Sequence, residues 1–223
     1  MASPSAPAPA PTTTDGWSAQ LIAGALCLEL ANTVPTYLAP ADGFVDHLSD
    51  YASLLAWTAQ ADLLDRTTIT RLRRAAATRP NDAAWALGDA RTLRRAIYDA
   101  FSACARGEAA PDAALATLAR FHAQAAQHAQ LVHDATSGAF AFVHLEPSDA
   151  LDQMLWPVAR SATDLLTSGL AARVRLCEAS SSASCTWLFV DESKNHSRRW
   201  CSMRDCGNRE KARRHHEKRK VAR

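Results

Sequence analysis

Four cysteines, Cys177, Cys185, Cys201 and Cys206, fall within 30 residues of one another. More than any other feature of the chain, they limit what it can fold into. Zinc takes four thiolates in a tetrahedron, and proteins commonly deliver them as two pairs on tight turns joined by a short linker. The pairs here are Cys177/Cys185 and Cys201/Cys206, the first spanning a wide but flexible EASSSAS gap. A closed set of four leaves no open coordination position, so the predicted metal is structural rather than catalytic. Four unrelated cysteines beside a basic tail is the plainer alternative, and it leaves the paired spacing unexplained. His196, His215 and His216 lie nearby and are read as solvent-facing or phosphate-proximal. Cys27 and Cys104 stand alone in apolar helical patterns and read as core residues.

Between the pairs, TWLFVDESKNHSRRW starts strand-like at Trp187 to Val190, turns over Asp191 to Ser197, and brings Trp200 before Cys201. That pattern predicts a hairpin linking two metal knuckles. Asp191, Ser193 and Asn195 are suited to holding the turn by side-chain to backbone bonds. Trp187 and Trp200 would flank the metal as a small core. After Cys206, GNREKARRHHEKRK has no proline and no β-branched run, which predicts a helix. Knuckle, hairpin and helix in that order describe a treble-clef zinc finger.

The formal net charge of +2 conceals a strong asymmetry. From Lys194 onward there are 12 basic and three acidic residues, a balance of +9, whereas the residues before it sum to −7. Such polarity points to a polyanionic partner for the tail. If the helix starts near Ser202, Arg209, Arg213 and Lys220 share one side, and Lys211, Arg214 and Lys218 cover another. A helix charged nearly all round cannot pack into a core. The major groove of B-DNA admits one such helix, with arginines reading guanine edges and lysines holding phosphates. The candidate nucleic-acid contacts are therefore Arg198 and Arg199 beside the second cysteine pair, with Arg209, Lys211, Arg213, Arg214 and Lys218. The alternative partner is RNA or an acidic protein. Asn208 either reaches a base or caps its turn.

For the remainder, a composition of 48% hydrophobic and 22% charged residues, rich in alanine, predicts a globular and mainly α fold with few short strands. Residues 1–15 read as a disordered Pro/Ala-rich tail without the charged and apolar regions of an export signal. No window approaches the roughly 18 apolar residues of a membrane span. Together these predict a cytoplasmic protein, in whose reducing surroundings clustered cysteines bind metal rather than form disulfides. Residues 16–172 are read as a helical domain and 173–223 as the finger. The stretch 17–34 reads as a buried helix, although alternating Leu26, Leu28 and Leu30 also suit a strand. Further helices are expected over 46–64, 69–79, 82–106, 112–132 and 149–168, and a strand at AFAFVHLE.

The run CTWLFVDESKNHSRRWCSMRDCGNREKARRHHEKR resembles the CGNR zinc finger, named for the tetrapeptide that is here Cys206-Gly207-Asn208-Arg209. The upstream GALCLELANTVP resembles the opening of the ABATE domain, which precedes that finger in bacterial proteins described as stress-induced transcription regulators. The gap between Cys177 and Cys185 is longer than in the family's pattern. The resemblance implies a mostly helical regulatory domain followed by a treble-clef finger whose four cysteines hold Zn2+; DNA is the partner that the basic helix suggests. The first domain would sense a small-molecule effector or assemble into a homodimer.

No G-x-S-x-G, phosphate loop or H-E-x-x-H occurs, and His122, His128 and His133 are spaced so that they do not share a helix face, so no enzyme is predicted. Glu29 and Asn32, one turn apart in LELANT, are candidates for the polar groups of a ligand pocket. Core hydrogen bonding and capping is the competing role for both.

Overall fold

A computed structural model describes residues 19–34, 36–37, 46–136, 138–144, 149–179 and 185–221, the side chains of 134, 144 and 218–221 excepted. The Pro/Ala-rich tail expected over 1–15, and residues 180–184 of the serine-rich gap, lie outside the described residues. The elements are α1 (Leu26–Ala31), α2 (Tyr51–Gln60), α3 (Arg66–Thr78), α4 (Pro80–Arg106), α5 (Asp112–Gln127), β1 (Ala129–Asp134), β2 (Ala139–His144), α6 (Leu155–Thr167), β3 (Val174–Leu176), β4 (Leu188–Val190) and α7 (Asn208–Val221). The chain is predominantly helical with few short strands, as composition and periodicity predicted. Among the described residues no helix is long and apolar enough to cross a membrane.

Local chemistry sets the helix ends. Asp50 and Ser53 form a reciprocal capping box at the start of α2, and Asp65 accepts the Thr68 N–H at the start of α3. Pro80 opens α4 where its missing N–H costs nothing, and Gly107 closes it in the left-handed region at φ 73°. With 27 residues, α4 is about 40 Å long and is the axis of the molecule. It touches α1, α2, α3, α5, α6 and the β3–β4 pair. Trp57, Leu72, Leu93, Ile97 and Phe101 are fully buried around it.

Two helices start later than expected, α2 at Tyr51 rather than 46 and α6 at Leu155 rather than 149, and three elements differ more. The helix expected over 17–34 shrinks to the six residues of α1, because Gly24 at φ 80° turns the chain just before it. The helix expected over 112–132 stops at Gln127, and the chain turns into β1. There Leu131 pairs with Phe142 and His133 with Phe140 in an antiparallel ribbon with β2. These cross-strand pairs override a helical propensity that would otherwise continue. Thirdly, β4 pairs with β3, in the register Val174–Val190 to Leu176–Leu188, so the hairpin spans the first cysteine pair rather than linking the two.

The β3–β4 pair joins body and finger. Val174, Leu188 and Val190 lie in the same apolar core as α4. On the far edge of β4, Val190 donates its N–H to Ala23 O at 2.7 Å. Asn32 does the rest: its Nδ2 donates to Leu188 O and its Oδ1 accepts the Leu188 N–H, both at 2.9 Å. A side-chain amide thus takes the place of a neighbouring strand.

Candidate metal centre and basic helix

The four Sγ atoms of Cys177, Cys185, Cys201 and Cys206 lie within 4.8 Å of one another, and all four residues are buried. Sγ of Cys201 is 3.7 Å from that of Cys185 and 3.6 Å from that of Cys206. A disulfide requires about 2.05 Å. A tetrahedron with Zn–S bonds of about 2.3 Å has edges of about 3.8 Å. The donor set and its spacing fit Zn2+. Crowding sets the thiols against one another: hydrogen bonds from the other three, Cys185 first, pull Cys177 far below the ordinary thiol range, and contacts of the same kind, Cys177 first, push Cys201 far above it. Four such groups cannot all ionise without a cation between them, which is what zinc supplies.

Each half of the site is built by backbone. Cys177 follows β3 and donates its N–H to Trp187 O at 2.9 Å, which ties it to the strand that follows Cys185. Cys206 sits in a π-type turn, Met203–Gly207, closed by the Gly207 N–H on Ser202 O at 3.0 Å. Ser202 Oγ accepts from the Asp205 N–H at 3.2 Å and donates to Asp205 Oδ2 at 2.7 Å. A Cβ at Gly207 would stand 2.5 Å from Met203 Sδ and 3.3 Å from the Trp200 ring, so the exposed Met203 side chain would have to shift to admit one. Ile22, Trp187 and Trp200 pack against a small cluster of the four cysteines, Ala179 and Phe189. The turn-holding role expected of Asp191 is visible, since its carboxylate accepts the Ser193 N–H and Oγ–H and the Arg198 N–H.

The candidate polyanion contacts divide. Arg198 points into the finger: it donates to Trp200 O at 3.0 Å, to Ile22 O at 3.3 Å and to Cys201 O, with its guanidinium 4.3 Å from the Phe189 ring centroid. Sequence placed it on the nucleic-acid face, whereas the structure makes it a brace between the second cysteine pair and the segment before α1. Arg199 is nearly half exposed and pairs with Glu178, the residue after Cys177. Arg213 bridges Glu210 at 2.8 Å and Glu217 at 2.5 Å along α7. Arg209, Lys211 and Arg214 are exposed, as are His215 and His216; the Lys218 side chain lies outside the described ones. Asn208 donates to Arg204 O at 2.9 Å, so it caps its turn. A cavity of about 270 Å³ opens beside Cys185, Cys201 and Cys206, lined also by Gln20, Trp187, Asp205 and Arg209. Sequence reasoning missed Gln20, which belongs to no motif and lies near the opposite end of the chain from the cysteines.

Glu29 and Asn32 are both spoken for by the fold. The Asn32 amide is spent on β4. The Glu29 carboxylate accepts the Ala23 N–H at 2.7 Å, and burial raises its pKa to about 7 against the backbone hydrogen bonds of residues 22–24. Neither residue lines a described cavity. Cys27, expected in the core, is buried in α1, and burial pushes its thiol up to about 12.

Comparison with protein families agrees with these features. A family model described as "ABATE: Putative stress-induced transcription regulator" matches residues 24–169, and one described as "CGNR zinc finger" matches residues 173–219. No curated protein matches the chain.

Proposed function

Because the chain belongs to the ABATE family and ends in a CGNR zinc finger, we propose that it is a zinc-dependent transcription regulator whose finger binds DNA. The observation that carries the reading is the junction of metal site and helix. Cys206 and Asn208 are separated by one glycine, so a metal held by four thiolates fixes the start of α7. That helix has no apolar face to bury, and its basic residues outnumber its acidic ones. A rigidly mounted cationic helix suits a nucleic-acid groove.

The proposed contacts are Arg209, Lys211, Arg214 and Lys218, together with Arg199 and Arg213, each of which also holds a carboxylate. Arg198 serves the scaffold. The helical body, over 16–172, would sense a signal or assemble copies of the chain and pass the result to the finger through β4. Residues 173–223 act as the binding module, in a reducing compartment where the thiols stay available to zinc.

A gel-shift titration tests this. Zinc-loaded protein should retard duplex DNA in a salt-sensitive way, and Cys201→Ser should abolish the shift. Preferential binding of single-stranded RNA or of poly-glutamate would favour the alternative partner, and an unaffected Cys201→Ser variant would remove zinc from the account.

A further inference from the structure

We infer that α3 is a second phosphate-binding surface, which contacts the backbone of duplex DNA. The inference rests on the DNA-binding reading above and extends it to a part of the body that carries no motif. Although the residues before Lys194 are acidic overall, the window 66–81 holds five arginines, Arg66, Arg71, Arg73, Arg74 and Arg79, and no Asp or Glu.

The structure sorts four of these charges onto one side, whereas Arg79, at the helix end, donates to Asp149 O at 2.7 Å and pairs with Asp82 at 3.8 Å. Thr68, Ile69 and Leu72 are buried against the body, with Ala75 and Ala76 half-buried beside them. At 100° per residue the remaining arc carries Arg66, Thr67, Thr70, Arg71, Arg73, Arg74, Ala77 and Thr78. Arg66, Arg73 and Arg74 are exposed. Arg71 is half-buried and pairs with Asp149 at 3.8 Å. Arg66, Thr67, Thr70, Arg71 and Arg74 line an open groove of about 430 Å³, and among the described residues no carboxylate lines it. Thr70 Oγ1 is occupied, donating to Arg66 O at 2.8 Å, so the donors offered to a ligand are the exposed guanidinium groups of Arg66 and Arg74.

Guanidinium forks pair bidentately with phosphate oxygens. The stripe from Arg66 to Arg74 rises about 12 Å along the helix, which is comparable to the width of the B-DNA major groove of about 12 Å. Its two ends can therefore meet phosphates on opposite rims of a duplex, a span that one free phosphate does not fill. Contact of this kind carries no sequence information and positions the protein on the duplex.

The test compares full-length, zinc-loaded wild type with Arg66→Gln/Arg74→Gln and, separately, with Lys211→Gln/Arg214→Gln, using duplex binding as a function of salt. Removing two phosphate contacts should make the slope of log K against log salt shallower by about 2 for any duplex sequence. Unchanged circular dichroism and zinc content would show that the variant is folded, and Arg66→Lys/Arg74→Lys should restore most of the slope. If the α3 variant keeps the wild-type slope while the α7 variant loses affinity, the inference falls and the DNA-binding reading stands. If wild type binds no duplex at low salt, both fall. Inorganic tripolyphosphate displacing the duplex from α3 at equal phosphate concentration would overturn the duplex in favour of a small phosphate ligand, and poly-glutamate doing so would overturn it in favour of an acidic protein.

Discussion

The body and the finger are held together by different means. Around α4 the buried core draws on residues from Ala23 to Val190, with large side chains such as Trp57, Leu93, Ile97 and Phe101 fully enclosed. The finger's own cluster contains Ala179, Phe189 and four cysteines. Apolar burial at about 25 cal/mol per Å² can sustain the first and not the second. In the finger, metal coordination must supply what hydrophobic area does not. The body's stability is spread over many residues, whereas the finger's is concentrated in four sulfurs.

Chelation should break this comparison most visibly. Structural zinc contributes on the order of 10 kcal/mol or more in isolated fingers. Removing it, or substituting Cys201→Ser, should release the amides of Cys177, Glu178 and Gly207 to hydrogen exchange. The amides of Leu188 and Val190 should stay protected, because they belong to the body's core and bond to Asn32 and Ala23. Loss of protection at both sets would show that body and finger unfold as one. In the body, Phe101→Ala should cost about 3–5 kcal/mol in denaturant unfolding, with the zinc content of the folded fraction unchanged. The junction lies between these extremes. Asn32→Ala strands a buried N–H and C=O of Leu188 and should cost about 2–4 kcal/mol, loosening β4 and weakening zinc retention against a chelator.

The smallest effect is expected from Glu29. Its pKa of about 7 in the folded protein is raised above that of an unfolded glutamate, by burial. The folded state therefore holds the proton more tightly, and this contribution is fully present below about pH 4.5 and is lost as pH rises through about 7. Thermal melts should show Glu29→Gln flattening the decline in stability between those values. A variant whose melting temperature falls with pH as steeply as wild type's would contradict that assignment.

Much of the fold was legible because it is local. The apolar spacing of α2 and α4 and the stop at Gly107 need only near neighbours in sequence, whereas the starts expected at 46 and 69 are set instead by the caps at Asp50 and Asp65. The zinc site was legible for a different reason: few chemistries need four cysteines at such spacing. What escaped depends on long-range geometry. Asn32 bonds to Leu188 across 156 positions, so the sequence offered core hydrogen bonding as a role for its amide without indicating the partner. The helix predicted through Val132 yields to a ribbon whose partner strand lies beyond the next turn. Arg198 looked like its neighbour Arg199, yet one guanidinium holds the carbonyls of Ile22, Trp200 and Cys201 while the other reaches Glu178 at the surface. Charge is visible in sequence, but the direction in which a charged side chain points is set by the backbone around it.

In the proposed function, zinc mounts a cationic helix for DNA. The most direct measurement is fluorescence polarisation of a labelled duplex against salt, with zinc-loaded, chelated and zinc-restored protein. With zinc, the four to six proposed finger contacts and the two on α3 should give a slope of log K against log salt of about −5 to −7, with collapse of binding on chelation and recovery when zinc returns. Binding of equal strength and slope in the chelated protein would contradict the proposed function.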